Sequence, residues 1–383
     1  MAFFSRILVF LTSICGPRYS EEANHWDLGG VGRKMKIVTV IGARPQFIKV
    51  AGVSRELRKR HQEFLLNTGQ HYDYEMAGIF FDGLDIALPD VNLGVGSGPH
   101  GAQTGAMLRG VEEVLLSERP DWVLIYGDTN STLSGALAAA KLHIPIGHIE
   151  AGLRSYNRRM PEEINRVVAD HLSNMLLCPS NTAVSNLAAE GIIQNVHMIG
   201  DVMLDVLNWA KPRVEAGTPE ILGRLGLKLR QYVLVTIHRS ENTDDQHRLA
   251  SILNALNALE EPVIFPVHPR TRKAIAQSNF RLRAHVRMMD PFGYIEMVTL
   301  SSSARSILTD SGGLQKEAYW LSVPCITLRD ETEWIETVES GWNKLVGADF
   351  EKIVKAAGSF APPVSHHPLY GDGKAAARFV DLL

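Results

Sequence analysis

Cysteine is scarce in this sequence. The 383 residues contain only Cys15, Cys178 and Cys325, which form neither a CxxC pair nor an even-numbered framework. This argues against a disulfide-stapled secreted fold and predicts reduced thiols in a cytoplasmic protein. Cys178 and Cys325 lie in apolar strand-like runs, so we expect both to be core residues.

Long apolar runs and an excess of charge are also lacking. No stretch reaches the roughly 18 uninterrupted apolar residues that a membrane-spanning helix needs. The net charge of −3 indicates no basic surface for nucleic acid and no charge run for a membrane surface. With 45% hydrophobic and 21% charged residues, the composition is that of a globular protein. We therefore expect small-molecule ligands, no nucleic acid and no membrane span.

The first 34 residues differ from the rest. Met1 to Cys15 contains an apolar stretch that resembles a weak signal h-region, but only one charge precedes it and no clear small-residue cleavage site follows. Met35 opens directly into a good strand. We therefore interpret 1–34 as an appended or spurious leader rather than a working export signal.

From Met35 onwards, apolar β-like runs alternate with amphipathic segments of helical length, which predicts an α/β fold of parallel sheets with crossover helices. Strands are predicted at 36–42, 64–68, 122–127, 145–149, 175–178, 232–237, 262–267, 285–288, 305–309 and 324–327. These make two series joined near 200–215, and hence two Rossmann-like doubly wound domains facing a cleft. The first is placed at 35–205, with a C-terminal helix at about 370–383 that could pack back on it, and the second at 206–369. Ligands are expected at the carboxyl ends of the strands and in the cleft.

A phosphate cradle is predicted where an apolar strand breaks over Ser311, Gly312 and Gly313 directly into a helix. A helix start offers unpaired N–H groups and the positive end of its dipole, and glycines let an anion approach the main chain. Glu317 shares a helical face with the glycines and could accept hydrogen bonds from a ribose diol. The alternatives are an ordinary N-cap for Ser311 and a solvated helix position for Glu317.

A second candidate anion site follows the first strand. Gly42 gives a turn, Pro45 suits the first position of a helix, and Arg44 and Lys49 place cations where a diphosphate could lie. The run lacks the GxGxxG pattern of nicotinamide enzymes, so hydride transfer and NAD lose their usual support. For Lys49 the alternative is a solvated helix lysine.

Three carboxylates, Asp128, Glu150 and Glu162, each come just after a predicted strand. Crowding and partial burial raise carboxyl pKa values towards the range of a general acid or base, so this set suits proton transfer. Helix capping could instead explain Asp128 or Glu162. It explains Glu150 less well, because that residue lies between an apolar strand and an Ala-Gly turn.

Two histidines, His238 and His268, follow strands of the second series. A strand-end histidine facing a cleft can hydrogen-bond a phosphate or carry a proton. Metal binding is the alternative, but neither residue has the H-x-x-x-H or H-E-x-x-H spacing of a metal site. We expect no metal.

Taken together, these motifs resemble the non-hydrolysing UDP-N-acetylglucosamine 2-epimerase family from about Met35 to the C-terminus. They read IGARPQFIK, TGQHYD, YGDTNSTL, HIEAGLRS, MPEEINR, TIHRSEN, HPRT, TDSGGLQKEA and LRDETEW. The resemblance implies the two-domain GT-B-type fold of many glycosyltransferases, a homodimer, and interconversion of UDP-GlcNAc and UDP-ManNAc without NAD or metal, by elimination and re-addition of UDP.

The resemblance also implies residue roles. Asp128, Glu150 and Glu162 match the acid/base set, and Lys49 and His238 match positions that support the reacting centre or the diphosphate. The UDP site would comprise Arg44, Ser311, Gly312, Gly313 and Glu317, to which we add His268.

Some positions depart from the best-known bacterial members. Met297 stands where those carry an aromatic residue for the uracil, and Trp334 where they carry arginine. Gln70 and His71 resemble part of an allosteric UDP-GlcNAc site, but the arginine expected nearby is replaced by Ala106. The forms IGARPQFIK, RMPEEINR and TEW resemble the branch that acts on UDP-2,3-diacetamido-2,3-dideoxyglucuronate, an O-antigen precursor, which is therefore the alternative substrate.

Other classes of function remain open. A glycosyltransferase would share the fold and the UDP site, but the three strand-end acids with Lys49 favour epimerisation. A non-catalytic UDP-sugar sensor would not need those acids together. A hydrolysing epimerase would release UDP and free ManNAc, and a product assay distinguishes it from a non-hydrolysing one.

Overall fold

The computed structural model describes residues 33–70, 83–278 and 280–383, and residues 35–382 form one compact unit. Its strands are β1 (Lys36–Ile41), β2 (Gln62–Asn67), β3 (Val91–Asn92), β4 (Trp122–Tyr126), β5 (Ile146–Ile149), β6 (Met175–Cys178), β7 (Val196–Met198), β8 (Val233–Thr236), β9 (Val263–Pro266), β10 (Val286–Met289), β11 (Ser306–Thr309), β12 (Cys325–Thr327) and β13 (Asn343–Leu345).

Helices connect and flank these strands. They are α1 (Arg44–Arg60), α2 (His100–Glu118), α3 (Asn130–Lys141), α4 (Pro161–Leu172), α5 (Asn181–Ala189), α6 (Val202–Leu225), α7 (Ser240–Thr243), α8 (Gln246–Ala258), α9 (Pro269–Gln277), α10 (Tyr294–Ser303), α11 (Gly312–Trp320), α12 (Ile335–Glu339), α13 (Phe350–Ser359) and α14 (Ala375–Leu382). In the described ranges, no helix is both long and apolar enough to cross a membrane.

The strands form two parallel sheets, which confirms the α/β doubly wound prediction. The seven-stranded sheet has the order β3-β2-β1-β4-β5-β6-β7 and the six-stranded sheet the order β10-β9-β8-β11-β12-β13. The order reverses between β1 and β4 in one sheet and between β8 and β11 in the other. Loops leave in opposite directions at such a point, so a crevice opens at the carboxyl ends of those strands.

Both faces of each sheet are covered by apolar side chains. In the six-stranded sheet, Val233 and Val235 belong to one hydrophobic cluster, whereas Leu234 packs with Tyr232 and Ile264 in another. Successive side chains of a strand point to opposite faces, so a continuous apolar run is what a doubly covered parallel sheet needs. The strands are thereby rigid supports for the loops that follow them.

The ten predicted strands are all present, with ends within two residues of the prediction. β3, β7 and β13 were missed. They are two or three residues long and lie at sheet edges, where polar and exposed residues interrupt the apolar pattern. Cys178 and Cys325 are buried thiols, as predicted. The predictions for 1–32 and for His71 fall outside the described residues.

The stretch between the two sheets is helical rather than an irregular linker. α6 begins at the N-cap Asp201, continues through Pro212 and Pro219, and packs against both α1 and α10. Proline costs a helix a hydrogen bond, so tertiary packing on both sides sustains this helix. α14 packs against α1 and α6, and the Asp205 carboxylate accepts hydrogen bonds from the N–H groups of Ala375 and Ala376.

Candidate active site

The loop after β1 is fixed to the end of β4 by one glutamine. Oε1 of Gln46 accepts hydrogen bonds from the N–H groups of Gly42 and Ala43 at 2.8 and 2.9 Å, and Nε2 donates to the Tyr126 carbonyl at 2.9 Å. A Cβ atom at Gly42 would lie 2.0 Å from Oγ1 of Thr68, so only glycine fits. The turn joins the two strands at the reversal point of the sheet.

Glu150 lies in the crevice of the seven-stranded sheet, directly after β5. Its backbone is left-handed, with φ of 70°. Oε2 pairs with Nζ of Lys49 on α1, and Oε1 accepts a hydrogen bond from Nζ of Lys316 on α11 at 2.9 Å. Burial alone would raise the pKa of this carboxyl, but the charges of Lys316 and Lys49 outweigh it and lower the pKa to about 2. Glu150 is therefore an anion held between two cations.

The alternative interpretation of Lys49 as a solvated helix lysine is wrong. Its side chain is only 7% exposed and its charge is matched by Glu150. A lysine is rarely buried without such a partner. Lys49 thus connects α1 to the turn that carries Glu150.

Asp128 lies at the end of β4, in the turn before α3. Oδ2 accepts hydrogen bonds from Nη2 and Nε of Arg166 at 2.6 and 2.9 Å. The N-cap of α3 is Thr129, so Asp128 is not the cap. Arg166 lies on α4 and also donates from Nη1 to Glu163 at 2.9 Å. An ion pair with good geometry therefore orients the Asp128 carboxylate.

Glu162 lies in the first turn of α4, where the N-cap is Met160 and makes no side-chain cap bond. The side chain is half-buried. Its charge acts on Arg239, which belongs to the loop after β8. Glu162 therefore faces a cation of the six-stranded sheet.

The loops after β8 and β11 are tied together by Asp310, which is fully buried. Its carboxylate accepts hydrogen bonds from the N–H groups of His238 and Arg239 at 3.0–3.1 Å, and its Oδ1 lies 3.1 Å from Nδ1 of His238. The His238 side chain is 43% exposed. The buried carboxylate thus sets the orientation of an open imidazole at the strand end.

The Ser-Gly-Gly run opens α11, as predicted. Ser311 is the N-cap and its Oγ accepts from the Leu314 N–H at 3.4 Å, so the N-cap reading of this residue is correct. A Cβ atom at Gly312 would lie 2.6 Å from Oε1 of Glu333 and 3.1 Å from Nε1 of Trp334. Glu333 and Trp334 can therefore approach the helix start this closely only because Gly312 lacks a side chain.

Glu333 gathers arginines from both sheets beside this helix start. Oε2 accepts from Nη1 of Arg329 at 2.8 Å, and Oε1 lies 3.5 and 3.7 Å from Nη2 of Arg239 and of Arg166. Burial would raise the pKa of Glu333, but the three guanidinium groups hold it well below its usual range. Asp128, Arg166 and Glu333 thus form a connected set that reaches Gly312.

Glu317 is a buried residue, so its interpretation as a solvated helix residue is wrong. Burial raises the pKa of its carboxyl to about 7, although Tyr294, Lys316 and Arg44 act in the opposite direction. Burial also lowers the pKa of Arg44 to about 10, and Glu317 opposes that shift. Among the described residues, Oε1 of Glu317 lacks a hydrogen-bond partner, which makes it an acceptor available to a ligand.

His268 follows β9, which is the strand next to β8, and it is the N-cap of α9. Its Nδ1 accepts from the N–H of Arg270 at 3.2 Å. Ordered contacts thus link Asp128, Glu150, Lys49 and the start of α11. The hydrogen bond that His268 accepts from Arg270 is local to the start of its own helix.

Several charged residues of the site carried no role in the sequence analysis. They are Asp201, Lys316, Arg166, Arg239, Arg329 and Glu333. Lys316 and Glu333 lie inside the motifs TDSGGLQKEA and LRDETEW, which was the available signal. Arg329 and Glu333 are four positions apart. The partners of Lys316, which are Glu150 and Asp201, are 166 and 115 positions away, so spacing alone could not pair them.

Comparison with known proteins decides the family. The family model described as UDP-N-acetylglucosamine 2-epimerase matches residues 55–383. The chain belongs to this family.

Two curated relatives illustrate how close the family match is. A UDP-N-acetylglucosamine 2-epimerase homolog from Methanococcus maripaludis is 51% identical, covering 91% of this chain and 99% of the relative. The UDP-2,3-diacetamido-2,3-dideoxy-D-glucuronate 2-epimerase from Pseudomonas aeruginosa is 47% identical with the same coverage.

Among solved structures, the UDP-GlcNAc 2-epimerase of Methanocaldococcus jannaschii in complex with UDP-GlcNAc and UDP has a TM-score of 0.84 at 40% identity, covering 91% of this chain and 99% of the other. Members of this epimerase family have a GT-B-like fold, so the match confirms the predicted fold class.

Proposed function

We propose that this epimerase-family protein is a non-hydrolysing UDP-N-acetylglucosamine 2-epimerase that interconverts UDP-GlcNAc and UDP-ManNAc. The family match and the named relatives support the reaction class. The observation that carries the proposal at the level of residues is Glu150, a buried carboxylate that is bonded to α11, the helix with the Ser-Gly-Gly start. Acid/base chemistry and nucleotide binding would then share one crevice.

The proposed reaction is elimination followed by re-addition. No carbonyl acidifies the proton at sugar C2, so it becomes removable only if the C1–O bond to UDP breaks as the proton leaves and positive charge develops at C1. A base takes the C2 proton, the C1–O electron pair leaves with UDP, and a 2-acetamidoglycal forms. Addition of UDP with protonation of the opposite face of C2 gives the epimer.

We assign roles within this scheme to the residues at the crevice. Asp128, Glu150 and Glu162 are the acid/base set, and Lys49 and His238 stabilise the leaving diphosphate or the reacting centre. Cations and helix N–H groups aimed at developing charge are commonly the largest electrostatic contribution to such a reaction. Because the pKa of Glu150 is about 2, it enters the reaction ionised, so it can accept a proton and has none to donate.

UDP binding is assigned to the start of α11, on the side of the shared crevice formed by the six-stranded sheet. Ser311, Gly312 and Gly313 would hold the diphosphate, Arg44 would add charge, and Glu317 would accept from the ribose diol. His268, the N-cap of α9, completes this proposed set. The assignment is supported by Oε1 of Glu317, which has no hydrogen-bond partner among the described residues, and by the two glycines with which α11 begins.

The experiment is incubation of the purified protein with UDP-GlcNAc, with the C2 configuration followed by NMR. We expect an equilibrium mixture with UDP-ManNAc and no free sugar. Release of UDP with free ManNAc would identify a hydrolysing enzyme instead. Glycosyl transfer to an added acceptor without epimerisation would identify a glycosyltransferase, and binding without turnover a sensor.

UDP-2,3-diacetamido-2,3-dideoxyglucuronate is the second candidate substrate. The relative of that name from Pseudomonas aeruginosa is 47% identical, whereas two relatives named UDP-N-acetylglucosamine 2-epimerase are each 42% identical. Trp334 supports the same substrate, because the form TEW resembles the branch of the family that acts on it. Separate incubations with the two UDP-sugars and a comparison of kcat/KM decide between them.

We further propose that residues 35–205 carry the acid/base residues and 206–369 the UDP site, and that the protein is a cytoplasmic homodimer. The reduced, buried Cys178 and Cys325 support the compartment, and the dimer rests on family resemblance. Light scattering of the purified protein tests the dimer, and a monomer mass would contradict it.

A further inference from the structure

Lys316 is a fully buried lysine on α11, in the turn that follows the Ser-Gly-Gly start. Its side chain is 0% exposed. Nζ donates to Oε1 of Glu150 at 2.9 Å and pairs with Oδ2 of Asp201, and it lies 3.8 Å from the ring centroid of Trp334. Burial of an ammonium group costs several kcal/mol unless anions compensate for the lost water. Packing alone therefore does not explain why a lysine is buried at this position.

The geometry gives Lys316 a different place from Lys49. Lys49 pairs with Oε2 of Glu150. Lys316 is shared between Glu150 and Asp201 and rests on an aromatic face, which is a further favourable contact for a cation. Oδ1 of Asp201 accepts from the Met203 N–H at 2.8 Å and so caps α6. Lys316 is thus anchored to a fixed residue, and withdrawal of its charge would leave a buried anion unpaired.

We propose that Lys316 is a positioning residue of the epimerase, which holds the Glu150 carboxylate at a fixed place relative to the nucleotide-binding helix. This inference rests on the proposed function. Through Lys316, α11 connects directly to Oε1 of Glu150, so binding of a nucleotide at the start of α11 and the orientation of the base depend on the same helix. Lys49 can then leave Glu150 and pair with a diphosphate, while Lys316 keeps the Glu150 carboxylate in place.

The charged groups around this cluster set the expected titration. Glu150 faces Lys49 from α1 and Lys316 from α11, and Lys316 also faces Asp201. Glu317 and Arg44 lie next to them and act on each other. The pKa of Glu150 is lowered by both lysines against the effect of burial. Removal of Lys316 therefore raises that pKa, and Lys49 alone cannot fully restore it.

The test compares Lys316→Met with Lys344→Met, the same change at an exposed lysine of β13. The carboxyl resonance of Glu150 is followed against pH by ¹³C NMR and assigned with Glu150→Gln. In Lys316→Met we expect its midpoint to rise by about one unit or more, the effect of one nearby opposite charge. Turnover should fall at least about tenfold while UDP affinity stays close to that of the wild type. An unchanged midpoint or unchanged turnover would overturn the proposal.

A second variant protects the test against misfolding. Lys316→Met leaves the Asp201 anion buried, so the double variant with Asp201→Asn removes both charges while the amide can still cap α6. The double variant should show the same raised Glu150 midpoint, and a wild-type midpoint in it would overturn the proposal. If the wild-type protein epimerises no UDP-2-acetamido sugar, the proposed function fails, whereas the NMR titration still gives its own answer for Lys316.

Discussion

Glu150 combines backbone strain with an ordered set of neighbours. A non-glycine residue with φ of 70° is uncommon and persists when the surroundings hold it. Two residues on, the Gly152 N–H donates to Oδ2 of Asp170 at 3.1 Å, and Oδ1 of Asp170 lies 2.7 Å from Nδ1 of His148. Nε2 of His148 in turn lies 2.8 Å from the carbonyl oxygen of Gly127. A buried carboxylate thus fixes the turns that carry Glu150 and Asp128.

Removal of the Glu150 charge should separate binding from chemistry. We predict that Glu150→Gln keeps its UDP affinity and loses at least about a hundredfold in turnover, because an amide has nearly the same shape but is no base. Calorimetric titration with UDP and an NMR assay of epimerisation measure the two effects. Glu220→Gln, at an exposed position of α6, is the matched control. Near-normal turnover of Glu150→Gln would leave the chemistry to Asp128 and Glu162.

Glu317 predicts a pH dependence of stability. Its pKa is about 7 in the folded protein and 4.5 is the ordinary value, so between these values the folded state keeps a proton that the unfolded state has released. The resulting stability is full below about pH 4.5 and is lost as the pH rises through about 7. We predict that Glu317→Gln lacks this loss, as measured by urea unfolding at a series of pH values. Parallel curves for the variant and the wild type would show that Glu317 is not the cause.

At the scale of elements, the start of α11 depends on one of its two glycines. A Cβ atom at Gly312 would meet Oε1 of Glu333 at 2.6 Å, and Glu333 is held by three arginines. A Cβ atom at Gly313 would lie 3.3 Å from Cε of Met203, which ends a flexible side chain. The Glu333 side chain beside Gly312 therefore cannot move aside easily, whereas the Met203 side chain beside Gly313 can.

This difference gives a paired test of the proposed UDP site. We predict that Gly312→Ala weakens UDP binding about tenfold or more, the equivalent of about 1.4 kcal/mol, because the new methyl group displaces Glu333 and fills the helix start. Gly313→Ala should bind UDP several times more tightly than Gly312→Ala. Calorimetry on both variants measures the difference, with thermal unfolding as the check on folding. Equal affinities would show that the diphosphate does not approach the main chain at Gly312.

The elements themselves were largely predictable, because apolar periodicity and strand-end turns are local signals. The strands β1, β4 and β8, for example, are mostly apolar runs of the kind that a doubly covered sheet requires. β3 has two residues and β13 three, and each includes an exposed polar residue, Asn92 or Lys344, so nothing local distinguishes them from loops. The continuity of α6 through Pro212 and Pro219 was also hidden, since its cause is packing against α1 and α10.

At the scale of the whole molecule, the site depends on pairs that join residues far apart in the sequence. Glu150 is 101 positions from Lys49 and 166 from Lys316, and Arg166 reaches Glu333 from the other sheet. Asn157 also donates to Oε1 of Glu331 at 2.6 Å. The sequence indicated which acids follow strands, but which cation each acid meets depends on how the two sheets pack. The pairing partners therefore could not be predicted, although the acids could.

If the acids after β4 and β5 handle the proton and α11 holds UDP, the protein should exchange the C2 proton with solvent. We predict that in deuterated water the wild type places deuterium at C2 of both the product and the recovered UDP-GlcNAc, because the intermediate can be reprotonated on either face before it leaves. Glu150→Gln should lose exchange and epimerisation together, while the paired glycine variants should lose them in proportion to UDP binding. NMR of the C2 position measures all of these, and turnover with full retention of the C2 proton would exclude elimination as the mechanism.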